Sequence, residues 1–220
     1  MKNIIIHPEQ EASACVIWLH GLGADGHDFA QIVPELRLPE DLAIKFVFPH
    51  APERAVTING GVRQRAWFDI ASADRSGLEA DRVGLEESSS VLRQLIEDEM
   101  SSGIPAKRII LAGFSQGGAV ALHTAINFKE TLGGVMGLST YLPKWMTVPE
   151  TKTPFFMAHG SYDPLLPHQL GMETKSMLLD AGCHVEWHEY AMAHEVCYEE
   201  IQDISHWLGS VLSNNGKNSV

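Results

Sequence analysis

The stretch LAGFSQGGAVAL (residues 111–122) sets Ser115 between Gly113 and Gly117, where an apolar run meets a helix-like pattern. Upstream, RIILA (108–112) reads as a strand; downstream, GGAVALHTAI (117–126) reads as a helix, so the serine stands on a strand–turn–helix joint. So sharp a turn strains the serine backbone, and a side chain two positions to either side would collide with a neighbouring strand or helix. Glycine removes both clashes. The pattern G-x-S-x-G is weak by itself, because a serine here serves equally well as the N-cap of the helix it precedes. The rest of the chain has to separate the two readings.

Working outward, short β-rich apolar runs recur at CVIWLH (15–20), IKFVFPH (44–50), RIILAG (108–113), GGVMGLS (133–139), PFFMAHG (154–160) and HVEWHEY (184–190). Several are apolar at consecutive positions, as expected of strands covered on both faces. Helical patterns lie between them. Leu92, Leu95, Ile96 and Met100 follow helical spacing and stop at Gly103 and Pro105; further helices are expected over 116–128, 168–181 and 195–212. This alternation predicts an α/β fold, a mostly parallel central sheet flanked by helices on both faces, with functional loops at the carboxyl ends of the strands. Two long loops, 51–78 and 140–153, are expected to form lids or binding walls. Residues 1–213 read as one domain and 214–220 as a disordered tail.

Composition narrows the partners. Of 220 residues, 28 are Asp or Glu against 16 Lys or Arg, a net charge of -12 that repels phosphate backbones and argues against nucleic acid. Cys15, Cys183 and Cys197 form neither a disulfide framework nor a CxxC pair, which fits a reducing, cytoplasmic setting. The N-terminal MKNIIIHPEQ carries three consecutive isoleucines, far short of an export signal or a membrane span.

If Ser115 is a nucleophile, it needs a base that titrates near neutrality and a carboxylate to orient that base, in the chain order Ser, acid, His. Asp163, in SYDPLLP after the strand at 154–160, and His194, in AMAHEV after the strand at 184–190, occupy loops at strand carboxyl ends in that order. Taken singly, Asp163 also reads as an Asp-Pro turn and His194 as a surface or helix-start histidine. His123, His184, His188 and His206 fall within or at regular elements, and His159 is too near Asp163 to suit the order. Together the three residues point to nucleophilic catalysis. An oxyanion would need two backbone N–H donors, one from Gln116 and one from the glycine-rich segment HGLGADGHDF (20–29), which lacks the Lys-Ser/Thr ending of a phosphate loop.

From VIWLHGLGADGHDF through FPHAP, RAWFDI, RIILAGFSQGG, LSTYLP and HGSYDPLLP to AMAHEVCYEEI, the chain resembles the acyl-protein thioesterase and carboxylesterase group of compact α/β-hydrolases. The resemblance implies a serine hydrolase acting on small-molecule esters or acylated substrates, with Ser115, Asp163 and His194 as catalytic residues and no cofactor or metal. It implies Leu22 and Gln116 as oxyanion donors, and an acyl groove walled by Trp67, Phe68, Leu142 and Leu165. Two positions depart from the family pattern: Gln64 before AWFDI, expected to make a groove wall more polar, and Glu195, whose charge would favour protonation of His194 if the two approach. A carboxylesterase for short esters, a lysophospholipase, and a binding protein on the hydrolase scaffold are the competing expectations. An apolar patch near the long loops would serve a homodimer as well as a substrate.

Overall fold

In β2 (Ala14–Leu19) every residue is buried, and alternate side chains enter different cores: Cys15, Ile17 and Leu19 on one face, Ala14, Val16 and Trp18 on the other. Strands β6 (Ile109–Phe114) and β8 (Phe155–Gly160) split in the same way. Consecutive apolar residues are therefore what a strand needs when helices cover both of its faces. The computed structural model describes residues 3–214. Its main sheet has seven strands in the order β1-β3-β2-β6-β7-β8-β9, where β1 is Asn3–Ile6, β3 Ile44–Pro49, β7 Gly134–Leu138 and β9 Val185–Tyr190. All neighbours pair in parallel except β1, which runs antiparallel to β3 at one edge.

Helices α3 (Arg82–Ser101), α4 (Gln116–Ile126) and α5 (His168–Asp180) supply side chains to one core. The short α1 (His27–Ala30) and the long α6 (Tyr198–Asn214) supply the other. The layered α/β architecture expected from the alternation is present. In α3 the Asp81 side chain caps the start by accepting from the Gly84 N–H at 2.9 Å, and Gly103, at φ +106°, follows the end where a left-handed residue is favoured.

Two parts of the chain differ from expectation. The segment 51–78 holds a hairpin of β4 (Glu53–Val56) and β5 (Val62–Arg65) and a turn of helix, α2 (Arg75–Leu78). Its strands ERAV and VRQR are too polar to show an apolar run, whereas Gly60 and Gly61, at φ +67° and +79°, make the tight turn possible. Strand β1 was likewise not expected, since a four-residue edge strand leaves little periodicity to detect. The loop 140–153 contains no regular element. Of the tail expected at 214–220, Asn214 ends α6 and the remainder lies outside the described residues. No helix among the described residues is long and apolar enough to cross a membrane.

Candidate active site

Because β2, β6, β8 and β9 are parallel, their carboxyl ends lie along one edge of the sheet, and the segments that follow them carry Leu22, Ser115, Asp163 and His194. At the end of β6, Ser115 adopts φ 54° and ψ −120°, a conformation that costs a non-glycine residue about 1–3 kcal/mol. Its neighbours hold it there: its N–H donates to Leu138 O at 2.9 Å, and its carbonyl accepts from Thr140 Oγ1 at 2.6 Å. A Cβ on Gly113 would stand 2.3 Å from the Gly117 backbone, and one on Gly117 would stand 2.5 Å from His20 O. Both glycines are thus required by close approach of backbone. The Ser115 side chain makes no capping hydrogen bond, so the N-cap reading of this serine does not describe it.

Asp163 is buried, and hydrogen bonds surround its carboxylate. Oδ1 accepts the backbone N–H groups of Leu165 and Leu166, each at 2.9 Å, and Oδ2 faces His194 Nδ1 at 2.6 Å and His159 Nε2 at 3.4 Å. Burial pushes this carboxyl up, but the hydrogen bonds from His159, His194 and Leu166 outweigh it and hold the group far below the ordinary carboxylate range. Facing a carboxylate oxygen, Nδ1 of His194 carries the proton and Nε2 is left free. The His194 ring also packs on Phe114, with centroids 4.7 Å apart.

Ser115 and His194 line a common cavity of about 340 Å³, whose other walls include Leu22, Ile58, Ile70, Leu78, Leu165 and Leu166. The N–H groups of Leu22 and Gln116 donate to no other group of the chain among the described residues. The Gln116 side chain ties the following wall to the elbow: Oε1 accepts the Trp67 N–H at 2.8 Å and Nε2 donates to Phe68 O at 2.6 Å.

Three of the four residues expected in an acyl groove are misplaced by that expectation. Trp67 is 2% exposed, Phe68 2% and Leu142 0%, all within the core and outside the cavity lining. Trp67 and Phe68 are held in the core by Gln116 and by the Trp67 Nε1–H, which donates to His20 O at 2.9 Å, and the Leu142 N–H is held by Thr174 Oγ1 at 2.8 Å. Only Leu165, 64% exposed, stands at the cavity. Gln64 is not among the residues lining it, and Glu195 is exposed and forms no hydrogen bond or ion pair with the His194 side chain among the described residues.

Two histidines escaped the sequence reading as positioning groups. His20 accepts the Ala51 N–H on Nε2 at 3.0 Å, which leaves the proton on Nδ1 to donate to Gly21 O at 2.7 Å. Burial pushes this imidazole down to about 4, keeping it neutral as both bonds require. His159, fully buried, turns Nε2 toward Leu166 O at 2.9 Å and toward Asp163, so it supports the carboxylate from behind. Each begins a His-Gly pair at the carboxyl end of a strand, a repeated signal visible in the sequence. No cluster of three or more His, Cys, Asp or Glu residues is placed to hold a metal ion among the described residues.

The chain is 38% identical over 210 residues to acyl-protein thioesterase 1 of Neurospora crassa, covering 89% of this chain and 86% of that one. The crystal structure of SOBER1 from Arabidopsis thaliana superposes with a TM-score of 0.84 at 29% identity, covering 90% and 99% of the two chains. Acyl-protein thioesterase 2 of Zea mays follows with a TM-score of 0.82 at 27% identity, covering 96% and 99%. The phospholipase/carboxylesterase family model matches residues 1–212. With the sheet, the elbow and these relatives in agreement, the chain belongs to the phospholipase/carboxylesterase family of α/β-hydrolases and is an ester or thioester hydrolase.

Proposed function

We propose that the protein hydrolyses carboxylic esters and thioesters through Ser115, His194 and Asp163 by way of an acyl-enzyme. The observation that carries this reading is the 2.6 Å contact of Asp163 Oδ2 with His194 Nδ1, with His194 sharing a cavity with a serine strained onto a positive φ. Nε2 of His194 takes the Ser115 proton as Oγ attacks the acyl carbon. The developing oxyanion is held by the N–H groups of Gln116 and Leu22. The imidazolium, stabilised by Asp163, then gives its proton to the leaving oxygen or sulfur, and the acyl group stays on Ser115. A water deprotonated by the same nitrogen attacks the acyl-enzyme, releasing the acid and restoring the serine.

The substrate we assign is an acylated small molecule or protein whose acyl chain lies along Ile58, Ile70, Leu78, Leu165 and Leu166. These apolar walls cover the part of an acyl chain next to the carbonyl, which favours substrates with more than a two-carbon acyl group. Residues 1–213 act as one catalytic unit in this reading, since every group named comes from one sheet edge or the segments packed on it. The free thiols of Cys15, Cys183 and Cys197 support a cytoplasmic setting. The apolar rim at the cavity serves substrate entry, with homodimer formation its competing use.

The test is hydrolysis of an ester series from two-carbon to sixteen-carbon acyl chains, with Ser115→Ala as control. We expect serine-dependent turnover that rises with acyl length beyond two carbons as the chain covers the apolar walls. Turnover undiminished in Ser115→Ala would overturn the mechanism, and an optimum at two carbons would overturn the groove.

A further inference from the structure

Among the residues that line the cavity with Ser115 and His194, Asp28 is the one carboxylate. Its position is set by the core rather than by a mobile loop. It lies on α1, whose Phe29 stacks on Trp18 with centroids 5.2 Å apart and meets Phe114, the residue before the serine, at 5.7 Å. The Asp28 N–H donates to Asp25 O at 3.1 Å, closing the turn that presents it.

This carboxylate has no counter-ion. No Lys, Arg or His pairs with it and no hydrogen bond reaches its oxygens among the described residues, whereas Asp25 next to it is engaged by the His27 N–H at 2.8 Å and His27 Nδ1 at 3.0 Å. Asp28 is an exposed residue at the cavity wall, and partial burial of its carboxyl, then the charge of Asp25, push that carboxyl up. The remaining walls are mostly apolar, with Asn59 the other polar side chain besides those of Ser115 and His194. An acyl chain follows the apolar walls, because passing Asp28 would strip water from its carboxylate without replacing the lost hydrogen bonds. The leaving group is the part of the substrate left to meet it.

Resting on the hydrolase reading above, we propose that Asp28 is a specificity residue that makes the site prefer esters with a cationic leaving group over neutral esters of the same shape. An ammonium next to this unpaired carboxylate supplies the missing counter-ion, and an anionic leaving group adds repulsion. Because the carboxylate stays partly in water, the preference is modest, about two- to fivefold in kcat/KM.

The test compares butyrylthiocholine with its uncharged isostere, 3,3-dimethylbutyl thiobutyrate, on the full chain at low salt. Wild type is expected to favour the choline thioester about two- to fivefold. The ratio should fall to about one in Asp28→Asn and be retained in Glu97→Gln, which removes the same charge from a position on α3 outside the cavity lining. A wild-type ratio of one, a ratio retained in Asp28→Asn, or an equal loss in Glu97→Gln would overturn the assignment, the last by tracing the effect to the net charge of the chain. Hydrolysis of the neutral thioester that survives Ser115→Ala would instead strike the hydrolase reading beneath it, so the two failures are distinguishable.

Discussion

Glu200 sits in the first turn of α6, six residues after His194, with its side chain fully buried and neither carboxyl oxygen hydrogen-bonded. Burial pushes this carboxyl from 4.5 up to about 8, partly offset by the nearby Cys197 N–H and reinforced by Asp203. The folded protein therefore keeps the Glu200 proton through a range of pH in which the unfolded chain has released it. With more protons bound when folded, stability falls as pH rises from about 4.5 to about 8 and levels beyond it. At 1.36 kcal/mol per pH unit this gap sets a ceiling of about 5 kcal/mol, a large share of the 5–15 kcal/mol typical of a domain. In a chain of this length the ceiling corresponds to a fall in Tm of about 10–20 °C. Glu200→Gln keeps the shape and removes the ionisation. Thermal unfolding of both proteins at pH 5.5, 7.0 and 8.5 isolates the effect as the difference between two Tm curves, which cancels the other titrating groups. We expect the variant to gain on wild type as pH rises, with the largest gain at pH 8.5. Parallel curves would refute the argument that an unpartnered, buried Glu200 is held neutral.

Two further outcomes follow from the site geometry. Asp163→Asn replaces an acceptor by an amide that cannot hold the proton on Nδ1 of His194, so kcat should fall by about 10³–10⁴-fold with KM little changed; steady-state kinetics showing less than a tenfold loss would detach Asp163 from the chemistry. Gly117→Ala drives a Cβ to 2.5 Å from His20 O and 2.7 Å from Leu19 O, both backbone, and should cost about 1–3 kcal/mol of stability together with activity. A variant with wild-type Tm and turnover would show that the elbow tolerates the added methyl.

The elements on which the site is built were legible because their causes are local. Strands 15–20, 108–113 and 154–160 announce themselves as apolar runs, and α3 shows its helical spacing and its Gly103 stop within the segment itself. Parallel alternation then placed the loops after β6, β8 and β9 at one edge, so the order of Ser115, Asp163 and His194 could be read without knowing any distance. Polar strands such as β4 and β5 were not legible, because a hairpin of this composition is held by its turn and its packing rather than by a hydrophobic pattern.

The sequence by itself determined the layered α/β fold, the glycine-flanked serine and the chain order of the candidate groups, since each depends on residue type and spacing along a few turns or strands. Only the tertiary structure decided what surrounds them. Trp67, Phe68 and Leu142 look like groove residues in the sequence and are core residues in the molecule, while Ile58, Ile70, Leu78 and Asp28, from separate segments, line the cavity. His20 and His159 each carry a His-Gly pair in the sequence, but the hydrogen bonds that make them positioning groups, to Gly21 O and Ala51 N and to Leu166 O, exist only once folding buries them. A cavity wall is a relation among segments far apart in the chain, and burial is a property of their packing, so neither is written in the local pattern that dictates a strand or a helix.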